Sequence, residues 1–330
     1  MDLNLNNISS DQEIREKKVK VLILGSGPAG LSAALYAARA NLAPVLLTGM
    51  ELGGQVSLTN TIENYPGFPE GVGGQELSDL IQKQAEKFGA SVEYDTATET
   101  DLTERPFRVK TYNGEYLAET LIIATGAQAK HLDVPGEKEL TGRGVSYCAT
   151  CDGWFFKDKE VVVVGGGDSS LEESLFLTRY AKSISVIHRR DSLRAGMILQ
   201  QRAFDHPKIK FIWDSVVSEI IGEEKVEKVK LVNVKTNEQS ELATDGVFIF
   251  IGHIPNTKIF ADFIELDNRG YIKTDNRLLT NVPGVYVAGE AGDPYFRQVI
   301  TSAGMGAAAA MQAVKFLEEH EQNQPESIKS

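Results

Sequence analysis

Short apolar runs rich in β-branched residues alternate along the chain with stretches whose apolar positions recur at helical spacing. The clearest run is Val19-Lys20-Val21-Leu22-Ile23-Leu24. It breaks at Gly25-Ser26-Gly27-Pro28-Ala29-Gly30 and resumes as an Ala-rich segment over 31–38. Such a run, bounded by glycines, predicts a strand, a tight turn and a helix. The same plan returns at Glu160-Val161-Val162-Val163-Val164, then Gly165-Gly166-Gly167-Asp168-Ser169-Ser170, then a helix over 171–180. Two more strands are predicted. Thr120-Leu121-Ile122-Ile123 runs into Ala124-Thr125-Gly126-Ala127. Gly284-Val285-Tyr286-Val287-Ala288 runs into Gly289-Glu290-Ala291-Gly292-Asp293, with Arg297-Gln298 and a small-residue helix over 301–310 beyond it. Strands alternating with helices predict an α/β protein.

With 330 residues the chain can hold two domains of ordinary size. The formal net charge of −12 argues against a nucleic-acid binder, which needs a basic face for phosphates, and against adhesion to an anionic membrane. No apolar run reaches the length of a membrane span. The polar stretch over 1–20 lacks the apolar core of a signal peptide, so a cytoplasmic chain is expected. Residues 1–18 and 318–330 are polar and are expected to be tails.

The glycine spacing has a chemical reading. The first glycine makes the turn and the second lets backbone approach a pyrophosphate. The third position must be small so that helix and strand pack closely, and the helix start offers free N–H groups. The alternative is a tight turn in an ordinary sheet. Two copies, each between strand and helix, favour dinucleotide binding. The chain is therefore expected to hold two Rossmann-like three-layer nucleotide-binding domains, the second inserted into the first. The boundaries are 19–130 and 257–317 for the first domain and 131–256 for the second.

The following strands separate the two sites. An NAD site places an acid at the strand end to hold the ribose hydroxyl. After Ser183-Ile184-Ser185-Val186-Ile187 the chain instead reads His188-Arg189-Arg190-Asp191-Ser192-Leu193-Arg194. Guanidiniums there suit the 2′-phosphate of NADPH, unless the cluster is only a solvated basic patch. After Val45-Leu46-Leu47 come Thr48-Gly49-Met50-Glu51-Leu52-Gly53-Gly54-Gln55, with no acid at the strand end itself. The glycine pair suggests backbone against a flat ligand, or else a flexible loop. The small-residue helix over 301–310 reads as close helix packing, though its N-terminus would also favour a ligand that becomes anionic on reduction.

There are two cysteines, Cys148 and Cys151, and five scattered histidines. A zinc site would need two further ligands, and a secreted scaffold would carry more cysteines at wider spacing, so no metal is expected. A redox dithiol is the leading reading of Cys-x-x-Cys; two buried structural thiols are the bland one.

Together these motifs resemble the low-molecular-weight, bacterial-type thioredoxin reductases. To the glycine turns they add Gly53-Gly54-Gln55, Glu63-Asn64-Tyr65-Pro66-Gly67, Ala124-Thr125-Gly126 and Cys148-Ala149-Thr150-Cys151-Asp152-Gly153. His188-Arg189-Arg190-Asp191 with Arg194, Ile251-Gly252-His253 with Pro255-Asn256, and Arg297-Gln298 complete the set. The cysteine block with its Asp-Gly tail is specific; the glycine motifs are not. The resemblance implies FAD in the discontinuous domain, against Gly25, Gly27, Pro28, Ala29, Gly30, Thr48, Gly49, Met50, Glu51, Gly53, Gly54, Gln55, Asn64, Ala124, Thr125, Gly126, Gly289, Glu290, Arg297, Gln298 and Val299. It implies NADPH in the inserted one, against Gly166, Gly167, Asp168, Ser169, Ser170, His188, Arg189, Arg190 and Arg194, with Ile251 and Gly252 also cofactor-lining.

It further implies that electrons pass from NADPH through FAD and the Cys148/Cys151 disulfide to thioredoxin, usually in a homodimer. Cys148 would attack the protein substrate, Cys151 would face the flavin, and Asp152 would shuttle a proton. Arg143, Trp154 and Phe155 would dock thioredoxin, and the inserted domain would rotate on hinges near 128–132 and 254–258. Asp152 as a plain turn residue, and Trp154 and Phe155 as core, are the bland alternatives. Three positions depart from the family pattern: Asp168 where Asn is common, Ser170 where Ala is common, and Glu290 where Asp is usual. Glu290 is one methylene longer, so FAD is expected with a small local adjustment. Competing readings are a related flavin disulfide reductase with another electron donor or acceptor, and a non-enzymatic flavin redox sensor.

Overall fold

The computed structural model describes residues 16–59 and 61–322. They form two compact units. One comprises the chain up to Leu58, Gly73–Ala127 and Pro255 onward; the other comprises Thr59–Val72 and Gln128–Ile254. Among the described residues no helix is long and apolar enough to cross a membrane.

The first unit is built on a seven-stranded sheet. Its strands are β1 (Glu16–Leu24), β2 (Val45–Leu47), β3 (Ser91–Glu93), β4 (Ala97–Asp101), β5 (Phe107–Thr111), β6 (Glu115–Ile123) and, late in the chain, β17 (Val285–Val287). The order β3-β2-β1-β6 is parallel, and β5 and β4 continue it antiparallel. One edge of β6 is shared: Glu115–Ala118 pair with β5, and Leu121–Ile123 pair with β17. Helices α1 (Pro28–Arg39), α2 (Gly74–Lys87) and α6 (Val299–Gln322) complete the unit, and α6 packs along α1. Leu22, Leu24, Leu121 and Ile123 meet Phe107, Phe260 and Ile264 in one core, while Val21 and Ile23, on the opposite face by strand alternation, are equally buried. Both faces of the second half of β1, Val21–Leu24, are covered, which is why that half reads as an unbroken apolar run.

Two expected tails are shorter than the sequence suggested. Strand β1 starts at Glu16, where Lys17 ion-pairs with Glu93 at 2.6 Å. Helix α6 runs on to Gln322, and Lys20 reaches Glu321 at 2.8 Å. These ends are exposed, so hydrophobic patterning does not register them. The rest of both tails, residues 1–15 and 323–330, lies outside the described residues.

The chain leaves the first unit through β7 (Ala127–Ala129) and returns through β16 (His253–Pro255). The second unit has a fully parallel sheet in the order β11-β10-β9-β15-β8: Ile209–Ile212, Ser183–Ile187, Glu160–Val164, Gly246–Ile249 and Val145–Ser146. A smaller antiparallel sheet holds β12 (Ser215–Ile221), β13 (Lys228–Asn233) and β14 (Gln239–Ala243). Its helices are α3 (Ala149–Asp152), α4 (Asp168–Leu177) and α5 (Met197–Phe204). Val162 and Val164 face one core and Val161 and Val163 another, so β9 too is buried on both sides. Each unit thus carries the strand–glycine turn–helix plan of a Rossmann-like fold.

Candidate functional site

The first glycine turn closes on itself. A Cβ on Gly25, whose φ is +106°, would lie 2.3 Å from the Ala124 carbonyl oxygen. A Cβ on Gly30 would lie 1.8 Å from that of Gly25. Neither position accommodates a side chain. Gly27 caps α1 without a side-chain bond to its first N–H groups, and Pro28 opens the helix. Those N–H groups remain available to phosphate.

Ser26, only 1% exposed, organises the next loop. Its Oγ lies 2.9 Å from the Thr48 carbonyl and 3.1 Å from that of Glu51, and accepts the Gly53 N–H at 3.1 Å. Within this loop Thr48 is buried and Met50 and Glu51 are exposed. At the end of β6, Thr125 Oγ1 donates to the Asn256 carbonyl (2.7 Å), and Asn256 Nδ2 donates to the Thr125 carbonyl (2.9 Å). After β17, the buried Asp293 carboxylate accepts the N–H groups of Tyr295, Phe296 and Arg297, holding Arg297 at φ +49°. Burial pushes the Glu290 carboxyl up to about 7; Arg297 opposes that and Asp293 adds to it. Asn64 departs from the expected grouping. It lies in Thr59–Val72, which belongs to the second unit, whereas the other expected FAD residues belong to the first.

In the second unit Gly167 caps α4, again with no side-chain bond. A Cβ on Gly166 would meet the His188 ring at 2.3 Å, so that glycine is required by the imidazole packed against it. His188, expected to line NADPH, therefore does not project outward with the three arginines. It is 5% exposed, and desolvation first, then the nearby arginines, hold its imidazole below the usual range. Ser170 is fully buried, packed towards the turn rather than open to a ligand. Its Oγ and His188 Nε2 meet no hydrogen-bond partner among the described residues. Arg189, Arg190 and Arg194 are exposed, and none is ion-paired among the described residues. The acid between them, Asp191, is held instead by Lys235 at 2.8 Å.

Cys148 and Cys151 are joined as a disulfide across one helical turn, with Cα atoms 5.3 Å apart. Cys148 is half-buried and caps α3, its Sγ accepting the Cys151 N–H at 3.2 Å; Cys151 is exposed. Ser146 Oγ accepts the Cys148 N–H at 3.1 Å and lies 2.5 Å from Asp152 Oδ2. Burial raises the Asp152 carboxyl above the usual carboxylate range, and the Ser146 hydrogen bond partly offsets it. A half-buried acid with a raised pKa holds its proton to higher pH, the direction a proton donor needs. Beyond it, Trp154 and Phe155 are 56% and 47% exposed, which excludes the core reading for both. Phe156 is the buried member of the run, edge-on to Phe248 with ring centroids 4.9 Å apart. Lys157 lies over the Trp154 ring and Tyr180 meets its edge. Arg143 is exposed, with its guanidinium bonded to the Glu139 carbonyl.

Ser26, Ser146 and Glu137 are not among the residues expected from the sequence; Asp293 falls within the 289–298 stretch that the resemblance assigns to FAD. Glu137 is 3% exposed. Its Oε1 accepts the Leu132 N–H (2.9 Å) and the Tyr147 hydroxyl (2.8 Å), and its Oε2 accepts the Asp133 N–H (2.7 Å). One carboxylate thereby joins the 132–134 segment to the residue just before Cys148. The usable signals were slight: a small polar residue between two glycines for Ser26, and an acid beside Pro135-Gly136 for Glu137.

Comparison with known proteins agrees with this arrangement. The pyridine nucleotide-disulphide oxidoreductase family matches residues 19–312. A thioredoxin reductase of Rickettsia felis is 52% identical over 303 residues, covering 90% of this chain and 98% of its own. One from Streptomyces coelicolor is 48% identical over 300 residues, covering 90% and 93%. The crystal structure of thioredoxin reductase from Streptococcus pyogenes superimposes with a TM-score of 0.87 at 45% identity, over 92% of this chain and 99% of that one. With the disulfide falling, in sequence, between two glycine turns, and relatives of this closeness over nearly the whole chain, this protein belongs to the pyridine nucleotide-disulphide oxidoreductase family, among its thioredoxin reductases.

Proposed function

We propose that this chain is a cytoplasmic, homodimeric NADPH-dependent thioredoxin-disulfide reductase that holds FAD in its first unit and NADPH in its second. The observation that carries the reading is the Cys148–Cys151 disulfide with the half-buried Asp152 beside it, its carboxylate hydrogen-bonded to Ser146. The residues fit the two dinucleotides. A Cβ on Gly27, Gly49, Gly126 or Gly167 would meet nothing within 4 Å, so the backbone there is open to close approach, and neither α1 nor α4 spends its first N–H groups on a side chain. Thr48 to Gln55, Gly126, Glu290 and Arg297 would hold FAD. The turn at Gly166–Ser169 would hold the NADPH pyrophosphate, with Arg189, Arg190 and Arg194 on its 2′-phosphate. When bound, these cofactors supply two electrons to the disulfide.

The chain's own residues then do the exchange. Opening the disulfide with two electrons and two protons gives two thiols. The Cys148 thiolate attacks the disulfide of thioredoxin; one sulfur leaves and a mixed disulfide forms. Cys151 attacks Cys148, releases the second thioredoxin sulfur and restores the internal disulfide. Asp152 gives the leaving thiolate its proton. Exposed Trp154 and Phe155, with Arg143, offer the aromatic and cationic groups that dominate protein docking surfaces. The test is NADPH oxidation with thioredoxin as acceptor. Cys151→Ser is expected to retain flavin and abolish turnover; turnover that persists in this variant would overturn the mechanism. Light scattering checks the dimer, which should have twice the mass of one chain.

A further inference from the structure

The arginine-bearing loop after β10 is tied to the glycine turn after β9 by two bonds. The Arg194 N–H donates to the Gly166 carbonyl at 2.7 Å, and the Gly196 N–H donates to Asp168 Oδ1 at 2.7 Å. On its other side the loop is held through Asp191, whose partner Lys235 also reaches Asp214 at 3.0 Å. The segment 189–196 is thus held at Asp191 and at Gly196, with Arg194 exposed between these anchors and Arg189 and Arg190 exposed just ahead of the first.

Asp168 is an odd anchor by charge alone. It is the first residue of α4, the turn where a pyrophosphate binds, and a carboxylate there opposes a ligand of its own sign. Its side chain instead serves the loop. We infer that Asp168 is a positioning residue for coenzyme selectivity: by holding Gly196 it sets the arginine loop to meet a 2′-phosphate. This rests on the NADPH reading above. Because NADH has no 2′-phosphate, slack in the loop weakens NADPH binding and leaves NADH binding almost untouched.

Three substitutions separate the parts. Asp168→Ala removes anchor and charge. Asp168→Asn keeps an acceptor oxygen and removes only the charge. Gly196→Pro removes the donor from the other end without touching the carboxylate, and the φ of −59° at Gly196 is proline's own. The measurement is calorimetric titration of the flavin-loaded enzyme with NADP+ and with NAD+, alongside hydrogen–deuterium exchange over 189–196. Asp168→Ala and Gly196→Pro are each expected to lower the preference for NADP+ over NAD+ on the order of tenfold, the factor carried by one hydrogen bond to a charged group. In Gly196→Pro NAD+ should stay within about twofold; in Asp168→Ala it should tighten by roughly the two- to fivefold that loss of the charge alone brings. The Asp168→Ala loop should exchange faster. Asp168→Asn should tighten both coenzymes about equally, by roughly two- to fivefold. An unchanged NADP+/NAD+ ratio in either anchor variant, or equal weakening of both ligands, overturns the proposal while the 2′-phosphate reading stands. A wild-type enzyme with no preference for NADP+ overturns that reading and this one with it.

Discussion

Replacing Glu137 by Ala tests whether one buried carboxylate holds the entry to the redox segment. The side chain is 4% exposed and accepts three bonds of 2.7–2.9 Å, from Leu132 N–H, Asp133 N–H and the Tyr147 hydroxyl, plus a long one of 3.4 Å from Val134 N–H. A hydrogen bond to a charged group contributes about 1.5–3 kcal/mol. The three good bonds do not add fully, because water enters as the side chain shrinks and the freed donors recover some of it. The cost to the second unit is therefore about 3–5 kcal/mol, less than the sum of three such bonds. Asp133 sharpens the expectation: it stands at φ +58°, an unfavourable conformation for a residue with a side chain, and its N–H is one of the donors held. Losing the acceptor lets it relax. Hydrogen–deuterium exchange reads this locally. A loss of about 3 kcal/mol raises exchange at the 132–134 amides by roughly two orders of magnitude, provided those amides open locally. Glu137→Gln should fall between, since its amide nitrogen must face donors on one side. Protection in Glu137→Ala within about threefold of wild type would refute the account of this carboxylate as the anchor.

Two further expectations concern the cofactor sites. Glu290 is raised from 4.5 to about 7, so between those values the folded apoprotein binds more protons than the unfolded chain. Its contribution is complete below about pH 4.5 and is lost as pH rises through 7, by up to about 3 kcal/mol. Glu290→Gln apoprotein should therefore gain on wild type from pH 4.5 to 8 in urea unfolding; parallel profiles would contradict it. Replacing Arg189 and Arg190 together by Ala should raise KM for NADPH far more than for NADH, and an unchanged ratio in steady-state assays would show that these arginines do not read a 2′-phosphate.

What could be read from the sequence follows from how each feature is built. Val21–Leu24 of β1 and Val161–Val164 of β9 are buried on both faces, so these apolar runs have no competing interpretation. The glycines that cannot bear a Cβ stand in short, regular motifs. The Cys148–Cys151 pair carries its chemistry in the residues themselves. Ser26, Ser146, Glu137 and Asp293 work differently: each is one polar side chain that accepts backbone N–H groups brought to it by folding. Polar residues of that kind look alike in sequence whether they face water or organise a loop. The placing of His188 is of the same kind: β10 ends at Ile187, Arg189 and Arg190 are exposed, and the His188 ring packs under Gly166, which only the fold reveals. The first turns of β1 and the last of α6 are exposed and polar, so they resemble tails although they are paired.

The sharing of β6 has a consequence for biosynthesis. Its edge at Leu121–Ile123 is completed only by β17, and the face of α1 that α6 covers stays bare until the last eighth of the chain has been made. Emerging from the ribosome N-terminus first, the second unit has its whole parallel sheet before the first unit can close. Until then the nascent chain carries an apolar strand edge and an Ala-rich helix face without partners, the kinds of surface that draw chains together. A nascent chain that has left the ribosome as far as Ile254 but not as far as Val285 would therefore carry a folded inserted unit on a half-built host, vulnerable to proteases on the host's side alone.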